Sequence, residues 1–416
     1  MRRSVAALAL AVFSALPAAA QVVERVSLPT IPVAPAAAAL ASLPRGGFLT
    51  ELRLQTQSLT TGAPLPQAFA AALAPAPRAA TPEAFAARAA LVEALAAPET
   101  ALPALIEAAR ATPGGKAEKA ADALSELHET ISAAPASERA GLARAAAGLR
   151  ARFDGASAAP GERVDLRSLP TVDEDALGAK AARRAMKAER REVRRLQEVI
   201  AASKDRAVLV VVQGMDTAGK DGVIKRPLAL NPTWTRVAAF KKPTAEEAAQ
   251  DFLERIKKQL PAKGIIGIYN RSHYEDLVVP AVYKTFSPEE IESRYRRINA
   301  FEKELVDSGV VIIKIFLNVS KGEQKARLER RLERPDKRWK FSLADLETRK
   351  RWDAFHRAYA EALARTSTPW APWRIIAAGD KPNRDWRVAR LTRKMLSRLG
   401  LRYPDPPETK GVTIPD

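Results

Sequence analysis

VVVQGMDTAGKDGVIKR, residues 210–226, is the stretch from which the fold can be read. It continues an apolar run begun at Ala207, and AVLVVVQ (207–213) has the length and the branched side chains of a strand buried on both faces. Gly214, Gly219 and Lys220 then fit the spacing G-x-x-x-x-G-K. In that pattern backbone amides at a helix start face phosphate oxygens and the lysine adds a point charge. The strand before it and the helical stretch after it are the context the motif requires. The next position ordinarily carries Ser or Thr, whose hydroxyl reaches magnesium, but here it is Asp221. A helix dipole favours a carboxylate there by ~0.5–1 kcal/mol. Bare phosphate repels it, so Asp221 must cap the helix, turn away, or reach phosphate through magnesium or water. Asp216, inside the loop, can point into the phosphate site and take the metal role that the missing hydroxyl leaves open.

Outward from this loop, apolar runs of strand length recur at 235–240, 264–270, 310–319 and 373–379. Helical stretches such as TAEEAAQDFLERIKKQL and SPEEIESRYRRINAFEKELVDSG separate them, the second opening on the helix-start signal Ser287-Pro288-Glu289-Glu290. Strands alternating with helices predict an α/β fold with ligands at the carboxyl ends of the strands. The expectation is a three-layer P-loop fold with a five-stranded, mainly parallel sheet and a helical lid, preceded by an Ala-rich helical region. A helix over 178–204 carries an irregular apolar stripe of Leu177, Ala181, Met186, Val193, Leu196 and Ile200. Its charged side is a solvated face, with phosphate contact as the alternative.

The 416 residues include no cysteine, which excludes disulfides and thiolate metal sites. Charge is unevenly placed. Residues 1–170 hold 16 Lys+Arg and 14 Asp+Glu, whereas 171–416 hold 51 and 34. The later part therefore projects a positive field suited to a polyanion. Residues 1–20 have the pattern of a secretory signal: Arg2 and Arg3, the apolar VAALALAVFSAL, and a small-residue cleavage site after Ala20. Cleavage implies export to the periplasm, and without it the protein is cytoplasmic. No segment reaches the length of a comfortable membrane span. Residues 21–165 read as Ala/Pro-rich short helices or a loosely ordered spacer, 172–405 as the domain that carries the chemistry, and 406–416 as a tail.

Two further clusters bear on chemistry. YNRSHYEDL (269–277) follows the third strand, where an acid often holds magnesium. Here Asn270 stands at the strand end and Arg271 follows, able to neutralise charge on a transferring phosphoryl group. His273 is either a base or a packed histidine. KGEQKARLERRLERPDKRWKFS (321–342) places Arg327, Arg330, Arg331 and Arg334 on one helix face and Lys337, Arg338 and Lys340 after a proline break. One reading is a solvated helix with Glu323, Glu329 and Glu333 pairing the arginines. The other is the closing lid of a phosphotransferase.

Together these segments resemble the polyphosphate kinase 2 family over roughly 178–400. The resemblance rests on GMDTAGKDG, Asn231-Pro232, FKKPT (240–244), QLPAKG (259–264), NRSHYEDL, RPDKRWKFS and TSTPWAPW (366–373). An Asp after the loop lysine, and Asn270 where other branches carry Asp, match the branch that phosphorylates nucleoside mono- and diphosphates. Arg226 departs from it, since relatives usually carry His there. The resemblance implies a Mg2+-dependent, reversible transfer from inorganic polyphosphate to ADP or AMP, with GDP and GMP as further candidates, by a homo-oligomer. Lys220 and the loop residues Gly214, Met215, Thr217, Ala218, Gly219 and Asp221 would hold the transferring group, with Lys241, Asn270 and Glu275 completing the phosphate and nucleotide site. Asp216 would bind the metal and Arg271 neutralise transition-state charge. Arg327, Arg330, Arg331, Arg334, Lys337, Arg338 and Lys340 would clamp the polyphosphate chain. Glu275 stands where diphosphate-specific relatives carry Asn, which suggests that it helps admit AMP. An ATP-dependent nucleoside monophosphate kinase and a basic nucleic-acid-binding protein with a vestigial loop are the competing readings. The second lacks the aromatic-basic interleaving of single-strand binders, and nucleic acid is not an expected partner.

Overall fold

The computed structural model describes residues 176–405 continuously, together with 164–172, 156–157, 412 and most of 91–139. The expected signal segment lies outside the described residues. Within 91–139, helices α1 (Ala101–Arg110) and α2 (Gly115–Ala133) pack together through Leu102, Leu105, Leu124 and Leu127. Among the described residues no helix is long and apolar enough to cross a membrane.

Six strands form one sheet: β1 (Ala156–Ser157), β2 (Ala207–Gly214), β3 (Thr235–Ala239), β4 (Ile266–Asn270), β5 (Val310–Asn318) and β6 (Trp373–Ala377), in the order β1-β6-β5-β2-β4-β3. Pairing is parallel throughout except for β1, a two-residue antiparallel addition beside β6. The five parallel strands are those expected from the apolar runs. The sixth escapes sequence reading because two residues carry no pattern. Every residue of β2 is buried, as a central strand covered on both faces must be. Its register sets Val212 opposite Asn270 of β4 and Gly214 opposite Leu317 of β5. The carboxyl ends of the central strands are thus nearly level, and the segments that follow them meet above the sheet.

Helices α3 (Ala179–Ser203), α4 (Lys220–Lys225) and α10 (Lys381–Ser397) form one packed group. α5 (Glu275–Tyr283), α6 (Pro288–Asp307) and α9 (Trp352–Thr366) form another. Between β5 and α9 lie α7 (Lys321–Glu333), a short turn of helix at Pro335–Arg338, and α8 (Leu343–Lys350), the segment expected to be a lid. Met186, Val193, Leu196 and Ile200 of α3 are buried, as its apolar stripe requires. The Ser287 hydroxyl accepts the Glu290 amide and caps α6.

The domain begins earlier than residue 172. Leu166 is buried in the main core, and the Asn318 side-chain amide donates to the carbonyls of Leu166 and Leu169, both at 3.3 Å. The Gly379 amide donates to the Thr171 carbonyl at 2.6 Å, so close that a side chain at 379 would collide with it. Leu166 and its neighbours carry too little pattern for the sequence to attach them to the sheet. A chain beginning at residue 172 should melt below one beginning at 156. Exposing the site of one buried leucine costs about 1.5–3 kcal/mol, or roughly 5–10 °C for a domain of this size. Equal melting temperatures by scanning calorimetry would show that the segment adds no stability.

Candidate active site

The loop between β2 and α4 wraps around its own lysine. Lys220 is buried, and its ammonium donates to the carbonyls of Gly214 at 2.6 Å and Met215 at 3.3 Å. Burial, followed by the nearby Arg271 guanidinium, pulls its pKa down, while Asp216, Glu275 and Asp221 oppose that shift. The lysine is thus a point charge held at the loop centre by carbonyl dipoles and surrounding carboxylates.

Three of the expected residues converge at this point. Arg271 donates to Asp216 Oδ1 at 2.7 Å and lies 3.5 Å from Glu275 Oε2. The Glu275 charge, followed by Asp216, outweighs burial and raises the arginine's pKa, so the guanidinium is a permanent cation. Glu275 opens α5 and accepts from Gln213 Nε2 at 3.1 Å and the Tyr359 hydroxyl at 3.2 Å. Gly214, Met215, Asp216, Arg271 and Glu275 line one end of a cleft. Val279, Tyr283, Thr348, Phe355 and Tyr359 line the rest, giving a charged floor and a largely aromatic wall.

Asp221 neither caps α4 nor faces the loop centre. Its Oδ1 accepts from Asn270 Nδ2 at 2.9 Å and its Oδ2 pairs with Lys340 of the lid at 2.7 Å. Burial alone would raise its pKa, but the Lys340 and Asn270 hydrogen bonds outweigh that and hold it low. The carboxylate in the hydroxyl's place therefore ties the strand end to the lid. His273 is fully buried, its Nε2 donating to Glu302 Oε1 at 3.2 Å in a cluster with Tyr274 and Lys314. It is the packed histidine and not a base at the cleft. Lys241 is exposed beyond β3, and its ammonium makes no hydrogen bond or ion pair among the described residues.

The lid cations divide by burial. Arg330 donates to Glu323, Arg331 to Asp345, Arg334 to Asp336, and Arg338 to the Leu332 carbonyl, while Lys337 pairs with Asp336. Arg327 is different. It is buried, and its guanidinium donates to the carbonyls of Thr217, Ala218, Ala378 and Gly379. The expectation that it clamps polymer with the other lid arginines is corrected: sharing a helix face did not reveal that the near end of that face rests on the loop. Glu323 does pair with Arg327 and Arg330, but Glu329 meets Lys325 instead. Arg384 of α10 was missed. It is buried and donates to the Ala218 carbonyl at 3.2 Å. Its place just after the last strand, where such sheets bind ligands, was the available signal. Gln324, Asp345 and Tyr359 were missed as well, since each sits in a helix where it looks like a solvated or core residue.

Among the described residues no three His, Asp or Glu side chains gather as a metal cage. Mg2+ typically uses one or two carboxylates and completes its shell with water and substrate phosphates. Asp216 fits that role, because Oδ1 takes Arg271 while Oδ2 makes no hydrogen bond among the described residues.

Residues 176–401 match the family described as polyphosphate kinase 2. The chain belongs to the polyphosphate kinase 2 family. Among similar proteins, an AMP/ADP-polyphosphate phosphotransferase of Meiothermus ruber is 43% identical over 259 residues, covering 61% of this chain and 96% of the relative. An ADP-polyphosphate phosphotransferase of Rhodopseudomonas palustris is 37% identical, covering 59% and 90%. The crystal structure of a polyphosphate kinase 2 from Arthrobacter aurescens TC1 aligns with a TM-score of 0.57 at 35% identity, over 60% of this chain and 94% of that one. As a member of the polyphosphate kinase 2 family, the chain is a phosphotransferase. Lys220→Ala should lower its turnover by at least about a hundredfold, the scale seen when one preorganised charge-stabilising donor is lost. The fold should persist, because the ammonium bonds only the loop. Loss of the cooperative melting transition would instead assign Lys220 to folding.

Proposed function

We propose that this chain transfers the terminal phosphoryl group of inorganic polyphosphate to AMP and ADP, reversibly and with Mg2+. The observation that carries this reading is the meeting of Asp216, Arg271 and Glu275 at the charged end of an aromatic-walled cleft, beside the loop that holds the buried Lys220. The activities named for the relatives from M. ruber and R. palustris support the donor and acceptors. GMP and GDP as further acceptors, and assembly as a homo-oligomer, belong to the same proposal.

Phosphoryl transfer needs little covalent help from the protein, so catalysis rests on position and charge. The loop amides and Lys220 hold the phosphoryl group that moves. Arg271 neutralises charge on its oxygens, with Asp216 and Glu275 fixing the guanidinium plane. A phosphate acceptor is already ionised, so no general base is required, consistent with the burial of His273. When bound, Mg2+ supplies charge screening of the phosphate oxygens, and Asp216 is the carboxylate that would hold it. The exposed lid cations Arg330, Arg334, Lys337 and Arg338, with Arg331 and Lys340 behind them, face the polymer.

Incubation of the protein with Mg2+, polyphosphate and AMP should yield ADP and ATP, and excess chelator should stop the reaction. Phosphorylation by ATP but not by polyphosphate would refute the donor assignment. Glu275 separates the two acceptors. AMP offers its single phosphate as nucleophile and must sit deeper than ADP to meet the same phosphoryl group. ADP brings a second phosphate and needs Glu275 less. Glu275→Gln should lower kcat/KM with AMP at least about tenfold, roughly 1.4 kcal/mol, with a much smaller change for ADP. Equal losses with both would reduce Glu275 to a support for Arg271.

A further inference from the structure

The carbonyls of the phosphate loop are taken up one by one by side chains, the first two by the loop's own lysine and the rest from outside it. Gly214 and Met215 carbonyls accept from Lys220. The Asp216 carbonyl accepts from Gln324 Nε2 at 3.1 Å. Thr217 and Ala218 carbonyls each accept from Arg327 Nη1 at 3.0 Å. Ala218 also accepts from Arg384. Two of these donors, Gln324 and Arg327, lie three residues apart near the start of α7, the first lid helix, and both are buried. The other end of the Gln324 amide is held in turn: Arg349 of α8 donates to Gln324 Oε1 at 3.0 Å and to the Lys321 carbonyl at 2.7 Å. A guanidinium can only donate, so Arg349 fixes which end of the amide faces it and leaves Nε2 for the loop.

Given transfer from polyphosphate as proposed above, we propose that Gln324 and Arg349 are positioning residues for the reaction. Arg349 orients Gln324, and Gln324 holds the Asp216 carbonyl outward, so that the peptide plane it shares with Thr217 turns its amide toward the phosphate site. Neither residue needs to touch substrate. The loop's phosphate-binding shape is set from the lid, and the lid helices cannot shift without releasing the carbonyl next to the Asp216 side chain.

The test uses the full chain with Gln324→Met, Arg349→Met and the double variant. Two quantities are read: steady-state kinetics with polyphosphate and ADP, and binding of tripolyphosphate without nucleotide. Gln324→Met should weaken tripolyphosphate binding and raise the polyphosphate KM at least about tenfold, a loss in keeping with a small misplacement of binding groups. The ADP KM should stay near wild type and the melting transition should stay cooperative, with the midpoint lowered only by the one stranded loop carbonyl. Arg349→Met should show a loss of the same kind, and the double variant should be no worse than Gln324→Met alone, because Arg349 acts through Gln324. Multiplying losses would mean that Arg349 meets the polymer directly and would overturn the chain of action. A fall in kcat with both KM values and tripolyphosphate binding unchanged would show only fewer active molecules, and would overturn the positioning role. If wild type binds tripolyphosphate but transfers nothing from polyphosphate, the donor reading fails while the binding comparison still decides the role of Gln324.

Discussion

A loop that binds phosphate through its amides must dispose of its carbonyls. Each peptide unit is planar, with N–H and C=O pointing opposite ways, so every amide turned to the ligand sends a carbonyl back into the protein. A buried carbonyl without a donor costs about 1–3 kcal/mol, and five in a row would unmake the loop. Here Lys220, Gln324, Arg327 and Arg384 accept that task between them. The same requirement explains Gly219. It adopts φ +106°, which a side chain resists, and a Cβ there would lie 2.0 Å from Arg384 Nη1. The glycine is needed both to turn the chain and to admit the arginine beneath it.

Backbone strain collects at the same place. Among the described residues four non-glycine positions have positive φ. Lys204 and Lys284 cap the ends of α3 and α5, where a left-handed residue is ordinary. The other two, Thr217 and Arg271, belong to the site. For a β-branched threonine this is an uncommon conformation, of the kind that costs about 1–3 kcal/mol and persists only when its surroundings hold it. The Thr217 carbonyl is gripped by Arg327. The Arg271 amide still pairs with the Val212 carbonyl, extending the β2–β4 ladder by one residue, while its side chain bonds Asp216 and Glu275. Strand pairing thus delivers the arginine, and the left-handed turn aims it at the loop.

The parallel strands, the loop and its neighbours Asp216 and Arg271 were legible in sequence because each follows from local pattern: apolar runs, glycine spacing, a polar cluster at a strand end. Glu275 entered only through the family resemblance. The supports of the loop were not. Arg327 shares a helix face with Arg330 and Arg331, and nothing in an i, i+3, i+4 spacing tells which member is buried. Arg384 and Gln324 act on backbone atoms far away in the chain, a relation that leaves no periodic mark. The attachment of Leu166 and Thr171 to the sheet is hidden for the same reason, since it is made by one buried side chain and a few backbone carbonyls. Asp221 was readable as an anomaly only. The sequence offered capping, turning away or a bridge to phosphate, and in the structure it turns away, to Asn270 and Lys340, partners the sequence did not name.

Burial also sorts the cations of this strongly basic region into two kinds with different physics. Arg327 and Arg384 have side chains 4% and 1% exposed and give their protons to carbonyls and to carboxylates. Removing such a group strands several buried acceptors at once, so these arginines are fixed parts of the loop and do not exchange partners. Arg334 and its partner Asp336 are 60% and 54% exposed. A pair so open to water adds little, because solvent and salt already screen it. A phosphate chain arriving at the lid can therefore take Arg334 or Lys337 from Asp336 at little cost, and the acid then repels the incoming charge rather than holding the cation. Net affinity for a polyanion is the difference between new phosphate contacts and these old acid contacts, and it is smaller than a count of lid arginines suggests. Lys340 lies between the two kinds, one quarter exposed and bonded to the loop's own Asp221. It is the lid cation whose exchange of partner reaches directly into the phosphate loop.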